Sequence, residues 1–256
     1  MKTLTSLIGL LVLCYAVFGA VLYTVQRRFI YFPVPPVPHG FETLSFQSGT
    51  ETLNITLVNG AQSKAVLYFG GNAEAVAHNG DAFETALPDH AVYLVNYRGY
   101  GGSTGEPTEA ALFADAVRLF DQLAPLHTVL TVMGRSLGSG VATHLAAERP
   151  VDRLVLVTPF DSILNVARGQ FLIYPLSLML KDPYDSAGRA GAVDAPVLVL
   201  IAGRDEVIAR ARSDALVDAF RTAPAVAVFE SAGHNDISLQ PGYFAAISTF
   251  LARDAR

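Results

Sequence analysis

The chain has 256 residues, of which 51% are hydrophobic and 16% are charged, and its formal net charge is -5. This length suits one large α/β domain with an additional segment, while an acidic pI of about 5.6 argues against nucleic acid as a partner. Cys14 is the single cysteine of the sequence, which excludes an intrachain disulfide and a cysteine-based metal site.

The first segment of interest runs from Leu4 to Val25 and contains 22 residues, none of them charged. As a helix it would be about 33 Å long, enough to cross the hydrocarbon core of a bilayer. We expect residues 1–28 to form a single-pass membrane anchor, with a cleaved signal peptide and a buried core helix as the alternatives. Basic residues at both ends of the segment oppose each other, so the orientation stays open, with an extracytoplasmic domain preferred.

A proline-rich segment follows at residues 29–42, where "FPVPPVPHG" carries four prolines. Proline fixes its own backbone in the extended region and disfavours a helix at the residue before it. We expect a stiff, extended spacer that holds a catalytic domain, residues 43–256, away from the membrane.

Short apolar runs then alternate with helical patterns such as Thr108–Leu123. Two leading strands followed by β-α alternation predict an α/β fold, with a mostly parallel eight-stranded sheet and helices on both faces. The predicted strands are Thr43–Phe46, Leu53–Val58, Ala65–Phe69, Ala91–Val95, Val129–Met133, Arg153–Val157, Pro196–Ala202 and Ala225–Phe229.

Two stretches match the pattern G-x-S-x-G, and they place a candidate nucleophile at Ser136 or at Ser103. Ser136 directly follows a predicted strand and precedes the helical stretch "LGSGVATHLAAE", as a nucleophile at a strand-to-helix turn requires. Ser103 lies several residues beyond its strand in the glycine-rich "NYRGYGGSTGEP", which favours a long turn. Ser136 is therefore the predicted nucleophile.

A serine needs a base within hydrogen-bond reach, and His234 is the best-placed of the six histidines. It follows the last predicted strand in "SAGHNDI", at the edge of the sheet where ligands bind in such folds. A carboxylate should orient this histidine, and Asp205 in "IAGRDEV" follows the preceding strand. Asp161, which follows another strand, remains the rival of Asp205 at this point.

Two backbone N–H groups should stabilise the oxyanion that forms during acyl transfer. One is expected from Leu137, directly after the nucleophile, and the other from Gly70, Gly71 or Asn72 in "YFGGNAEA". A simple turn is the alternative explanation for the glycine pair.

Together these residues resemble the α/β-hydrolase superfamily from about Phe41 to the C-terminus. More narrowly, "QRRFIYFP", "YFGGNAE", "NYRGYGGSTGEPTE", "GRSLGSG", "GRDEV" and "GHND" resemble the membrane-anchored, bud-emergence-type serine hydrolases. The resemblance implies Ser136 as nucleophile, Asp205 as acid and His234 as base, with Asn72 and Leu137 as oxyanion donors. Gly70 stands where relatives often have a histidine whose ring could brace the loop.

The expected reaction is hydrolysis of a carboxylic ester or thioester through an acyl-serine, with no metal and no organic cofactor. A short insertion after the sixth strand, residues 160–190, is either a lid that contacts apolar acyl chains or a helix at the sheet edge. Gly71, Phe171 and Leu172 are the predicted substrate contacts. An amidase or peptidase with the same residues, and a non-catalytic membrane-tethered binding protein, are the alternative functions.

Overall fold

The computed structural model describes residues 2–169 and 173–253. One eight-stranded sheet forms the centre of the domain, with the strand order β1-β2-β4-β3-β5-β6-β7-β8. β1 pairs antiparallel with β2 and β2 with β4, whereas the pairs from β4 onward are parallel. The strands are β1 Glu42–Ser48, β2 Glu51–Val58, β3 Lys64–Phe69, β4 His90–Val95, β5 Val129–Arg135, β6 Arg153–Val157, β7 Val197–Ala202 and β8 Ala225–Phe229.

Helices cover both faces of this sheet, so the inner strands are buried on two sides and are apolar at nearly every position. Along β3, Leu67 contributes to one buried apolar cluster and Tyr68 to the cluster on the opposite face. The predicted fold class is therefore confirmed. The helices are α1 Lys2–Val25, α2 Arg27–Ile30, α3 Gly80–Ala86, α4 Glu109–Leu123, α5 Leu137–Glu148, α6 Ile163–Arg168, α7 Leu176–Met179, α8 Ser186–Ala190, α9 Arg210–Ala219 and α10 Tyr243–Leu251.

The N-terminal helix α1 projects apolar side chains into solvent over most of its length. Its segment Thr3–Val25 has a mean hydropathy of 2.3 and is long and apolar enough to cross a bilayer. Cys14 is exposed on this helix. The predicted N-terminal apolar helix is present.

The proline-rich segment is extended from Tyr31 onward, after the end of α2, but it does not hold the domain away from the helices that precede it. Ile30 and Tyr31 are buried in the domain core, and Tyr31 hydrogen-bonds through its hydroxyl to Tyr184 at 3.0 Å. Farther along, the Gly101 N–H donates to the Val34 carbonyl at 2.9 Å. The expectation of a free spacer over residues 29–42 is wrong for this part of the segment, because its apolar side chains complete the core instead of remaining in water.

In its described residues, the predicted insertion forms three short helices, α6, α7 and α8, between β6 and β7. Ser162 caps α6 by accepting a hydrogen bond from the Asn165 N–H at 3.0 Å. Phe171 and Leu172, the predicted acyl contacts, lie outside the described residues.

Candidate active site

Ser136 occupies a sharp turn between the end of β5 and the start of α5. Its backbone has φ 49° and ψ -116°, a conformation that non-glycine residues rarely adopt and that is held by the surrounding structure. The Ser136 N–H donates to the Val157 carbonyl on the neighbouring strand at 2.9 Å. The turn therefore fixes the serine at the carboxyl edge of the sheet.

Two glycines let the strand, the turn and the helix approach each other. A Cβ at Gly134 would lie 2.2 Å from the Gly138 carbonyl oxygen. A Cβ at Gly138 would lie 2.0 Å from the Phe69 carbonyl oxygen. Both distances are far below contact, so G-x-S-x-G is required here by the crowded backbone around Ser136.

The structure places His234 and Asp205 in line with this serine. The hydrogen bond between Ser136 Oγ and His234 Nε2 measures 2.9 Å, and that between His234 Nδ1 and Asp205 Oδ2 measures 2.8 Å. The His234 side chain is 7% exposed. An imidazole that carries its proton on Nδ1 donates to the carboxylate and leaves Nε2 free to accept the serine proton.

The second oxygen of Asp205 fixes the carboxylate. Asp205 Oδ1 accepts hydrogen bonds from the Val207 N–H at 2.9 Å and the Ile208 N–H at 2.7 Å. Three contacts, two of them to backbone, therefore hold Asp205 against His234.

Asp161, the rival carboxylate, is engaged elsewhere. Its Oδ2 accepts from Asn165 Nδ2 at 2.7 Å and from Arg212 Nη1 at 3.0 Å, and its Oδ1 accepts from the Ser162 N–H at 2.8 Å. Asn165 lies in α6, Arg212 lies in α9, and Ser162 directly precedes α6. Asp161 thus braces the start of the insertion.

The second candidate serine, Ser103, is a structural residue of a glycine-rich turn. Its hydroxyl donates to the Asn96 carbonyl at 3.0 Å and accepts from the Asn54 N–H at 2.9 Å. Both bonds tie the turn to β2 and to the end of β4. Ser103 is buried by these contacts.

The loop after β3 borders the serine, as expected for an oxyanion loop. A Cβ at Gly71 would lie 3.5 Å from Ser136 Cβ. Leu137 is the first residue of α5, where a helix leaves its N–H groups without intrahelical acceptors. Among the described residues, neither the Leu137 nor the Asn72 N–H has a protein acceptor. The Gly71 N–H is occupied, because it donates to Glu74 Oε2 at 2.6 Å.

Gly70 lacks the ring that could brace this loop, and a tyrosine braces it instead. The Tyr97 hydroxyl donates to the Gly70 carbonyl at 2.7 Å. Burial raises the pKa of Tyr97 well above its ordinary value, so the hydroxyl retains the proton that it donates.

The Asn72 side chain connects the loop to the segment that follows the N-terminal helices. Asn72 Oδ1 accepts from the Phe32 N–H and from the Tyr100 hydroxyl, each at 2.8 Å, and from the Ala73 N–H at 3.0 Å. Ala73, the donor of the last of these bonds, has a positive φ of 56°. Sequence reasoning assigned Asn72 a backbone role only and missed the contact with Phe32.

Sequence reasoning also missed an ion pair between Arg135 and Glu74, with 2.8 Å between Nη1 and Oε2. Burial opposes the charge of Arg135, but the attraction of Glu74 outweighs it and the pKa of the guanidinium is raised. Arg135 Nη2 also donates to the His234 carbonyl at 3.2 Å. A charged residue inside G-x-S-x-G was the sequence signal for this ion pair. A charge in so crowded a turn needs a partner of opposite charge.

The described residues contain no group of three or more His, Cys, Asp or Glu side chains arranged to hold a metal ion. The polar groups around Ser136 form a serine-histidine-carboxylate arrangement, which is chemically able to carry out acyl transfer.

Comparison with known proteins agrees with this architecture. A family profile described as alpha/beta hydrolase fold matches residues 64–187. The protein Rv2307c of Mycobacterium tuberculosis is 34% identical over 257 residues, which span 91% of this chain and 90% of that protein. The protein bem46 of Schizosaccharomyces pombe is 30% identical over 204 residues, 74% of this chain and 67% of its own length.

Among solved structures, an esterase from Pyrococcus furiosus, Pf2001, superposes with a TM-score of 0.67 at 17% identity. The superposition covers 88% of this chain and 99% of the esterase. At 17% identity, this similarity shows only that the two proteins share a fold.

Proposed function

Because the chain belongs to the α/β-hydrolase family and resembles its bem46-type members, we propose that it is a serine hydrolase of carboxylic esters or thioesters. The observation that carries the proposal is the unbroken line of hydrogen bonds from Ser136 Oγ through His234 to Asp205. A serine hydroxyl is a weak nucleophile unless a base lies within hydrogen-bond reach, and here the base lies at 2.9 Å.

In the first half-reaction Ser136 Oγ attacks the carbonyl carbon of the substrate while its proton passes to His234 Nε2. The negative charge of Asp205 stabilises the imidazolium that results. The tetrahedral intermediate then collapses, and the Nε2 proton passes to the leaving alcohol or thiol. An acyl-Ser136 ester remains.

In the second half-reaction a water molecule gives a proton to His234 Nε2 and attacks the acyl carbon. Collapse of this intermediate releases the carboxylic acid and returns the proton to Ser136 Oγ. The Leu137 and Asn72 N–H groups are the proposed donors to both oxyanions, since neither has a protein acceptor among the described residues. Each such donor typically contributes on the order of 10²-fold to kcat.

An apolar acyl group is the proposed occupant of a cavity of about 220 Å³. The cavity lies between the end of α1 and the insertion, and the described residues that line it do not include Ser136, His234 or Asp205. Its lining is almost entirely apolar and includes Leu22, Ile30, Ile163, Val166, Tyr174 and Leu180. A site of this composition suits a hydrocarbon chain better than a charged or sugar-like group.

We further propose that α1 anchors the protein in a membrane as a single span. Its exposed side chains would otherwise present a large apolar surface to water, which soluble proteins avoid. Tyr23 and Lys181 meet at its carboxyl end, with the ammonium 4.2 Å from the ring centroid, as is common at a bilayer surface.

Labelling with a fluorophosphonate probe tests the hydrolase proposal, because only an activated serine reacts rapidly. Wild-type protein and Ser103→Ala should label, whereas Ser136→Ala should not label and should lose kcat by about 10³ or more. Ser103→Ala serves as the matched control and should cost about 1–3 kcal/mol of stability, since it leaves the Asn54 N–H unpaired. A labelled Ser136→Ala protein, or an unlabelled but folded wild type, would refute the proposal.

The leaving group is determined with a panel of substrates. Esters, thioesters and amides of the same acyl groups, from acetyl to long chains, are compared by kcat/KM. We expect ester or thioester turnover to exceed amide turnover; the reverse order would identify an amidase.

A further inference from the structure

The insertion lies along the N-terminal helix for about half of the length of that helix. At one end of the contact, the rings of Tyr15 and Tyr174 stack with centroids 4.6 Å apart and an interplanar angle of 7°. At the other end, Gln26 Nε2 donates to the Met179 carbonyl at 3.0 Å and Gln26 Oε1 accepts from the Lys181 N–H at 2.7 Å. The two segments are thus fixed side by side at both ends.

This contact determines the depth of the insertion if α1 crosses a bilayer. Tyr15 and Gln26 are separated by eleven residues, which corresponds to about 16 Å of helix rise. The hydrocarbon core of a bilayer is about 30 Å thick, so the contact covers roughly one leaflet. A paired charge, Arg27 with Asp182 at 2.8 Å, lies just beyond the Gln26 end, as expected at the aqueous boundary.

The insertion also carries apolar side chains that no part of the described chain covers. Ile173 is 71% exposed and Leu178 is 84% exposed. The segment Ile173–Leu180, "IYPLSLML", contains no charged residue. The exposed apolar side chains of α1 add to this uncovered apolar area, which in water would favour aggregation.

Several backbone groups of the segment are hydrogen-bonded within the protein, which lowers the cost of immersing them in hydrocarbon. The Leu178 N–H donates to the Pro175 carbonyl at 2.9 Å and the Leu180 N–H donates to the Leu176 carbonyl at 2.8 Å. The Ile173 carbonyl accepts from the Tyr15 hydroxyl at 2.8 Å, so the anchor helix itself supplies this donor. The Tyr174 hydroxyl in turn donates to the Tyr15 carbonyl at 3.0 Å.

We propose that residues 173–180 are immersed in the bilayer leaflet nearest the domain, with Ile173 and Leu178 in contact with lipid acyl chains. This inference rests on the proposed anchor and adds a second membrane contact to it. The consequence is that the apolar cavity between α1 and the insertion lies at the level of the lipid chains, so an acyl chain can enter this cavity from the membrane without crossing water.

The sequence contains no tryptophan, which permits a direct measurement of depth. Single-tryptophan variants Leu178→Trp, Leu11→Trp and Leu126→Trp of the full chain are reconstituted into phosphatidylcholine vesicles with brominated acyl chains. Leu11 lies within α1 and reports on the anchor. Leu126 is 66% exposed and precedes β5, at the edge of the sheet opposite Ser136, so it is the matched control in water. Fluorophosphonate labelling confirms that each variant is folded.

We expect bromine to quench Leu178→Trp to at least half the extent of Leu11→Trp, and several-fold more than Leu126→Trp. Quenching of Leu11→Trp without quenching of Leu178→Trp would overturn the immersion of the insertion and leave the anchor intact. If neither Leu11→Trp nor Leu178→Trp is quenched, both the proposed anchor and the immersion of the insertion are overturned. Blue-shifted but unquenched emission from Leu178→Trp would mean that protein covers this surface, for example a second copy of the chain, and would also overturn the proposal.

Discussion

Arg135 and Glu74 join the three loops that surround Ser136 through one partly buried ion pair. Glu74 Oε2 accepts from Arg135 Nη1 at 2.8 Å and from the Gly71 N–H at 2.6 Å. Arg135 Nη2 extends to the loop of His234, where it donates to the carbonyl of that residue at 3.2 Å. One carboxylate and one guanidinium therefore connect the oxyanion loop, the nucleophile turn and the histidine loop.

We expect Arg135→Lys to lower kcat about tenfold or more with little change in KM. A lysine ammonium is a point charge on a flexible chain and cannot span Glu74 and the His234 carbonyl as the planar guanidinium does. Small displacements of reacting groups cost rate in this range. The measurement is kcat and KM on a small ester. A change confined to KM would show that the pair contributes only to substrate binding.

A double variant separates positioning from stability. Glu74→Gln should lower the free energy of unfolding by on the order of 1–3 kcal/mol, because it leaves the partly buried charge of Arg135 without a counterion. Glu74→Gln with Arg135→Met should recover part of this loss but none of the kcat. The control is the exposed pair of Arg149 and Asp121, where Arg149→Met should change stability by less than about 1 kcal/mol and leave kcat unchanged. Recovery of both quantities in the double variant would contradict a positioning role.

The carboxylate that orients His234 can be assigned by comparing Asp205→Asn with Asp161→Asn. We expect Asp205→Asn to stay folded and lose kcat by up to about 10⁴, because an amide cannot stabilise the imidazolium and favours the wrong tautomer. Asp161→Asn should act on stability, since its partners are Asn165 and Arg212. Measurement of kcat and Tm for both variants decides between them. A large rate loss in Asp161→Asn beside a nearly active Asp205→Asn would reverse the assignment.

The sequence predicts the sheet and the Ser136 turn well because their signals are local. Each strand is a short apolar run, and the observed strand ends differ from the predicted ones by at most two residues. Ser136 and His234 were found because parallel strands bring their carboxyl ends to one edge, whatever their separation along the chain.

The contacts that were missed have no local signal. The prolines between Pro33 and Pro38 predict an extended backbone but not the surface on which it lies, so the bond from Phe32 to Asn72 was not foreseen. The insertion has no clear periodicity, and nothing in the pattern around Tyr174 indicates that its partner is Tyr15, 159 residues earlier. Glu74 and Arg135 are separated by 61 residues, and their pairing depends on the folded loops.

Two truncations test how much of the N-terminal region the catalytic domain needs. Removal of residues 1–25 should preserve kcat in detergent, because it retains Gln26 and everything that follows. Removal of residues 1–33 should abolish activity and lower Tm, because it takes away buried Ile30 and Tyr31 and the Phe32 N–H that holds Asn72. Ester turnover and Tm are measured on both.

A milder variant controls for general destabilisation in this comparison. Tyr31→Phe removes only the hydroxyl contact with Tyr184 and should cost about 1 kcal/mol with kcat unchanged. Full activity after removal of residues 1–33 would show that the oxyanion loop does not depend on the preceding segment.

The last prediction concerns His144, a histidine of α5 that takes no part in the proposed reaction. Its ring stacks on Phe113 with centroids 3.9 Å apart, and its Nδ1 is buried with no hydrogen-bond partner among the described residues. Desolvation first, and the positive charge of Arg189 second, lower the pKa of His144 below its ordinary value of 6.5. The folded protein therefore binds the His144 proton less readily than the unfolded chain does.

It follows that His144 contributes stability that is complete above pH 6.5 and is lost as the pH falls below that value, because the unfolded state then takes up the proton first. The Tm of the wild-type protein should decrease as the pH falls from about 7.5 to about 5.5. The Tm of His144→Gln should decrease less over the same interval, since glutamine does not titrate. The pKa of His90 is also lowered, mainly by desolvation. Because His90 is present in both proteins, its contribution cancels when their decreases in Tm are compared. An equal decrease in Tm for the two proteins would mean that the stacked ring accepts a proton in the folded state as easily as in water.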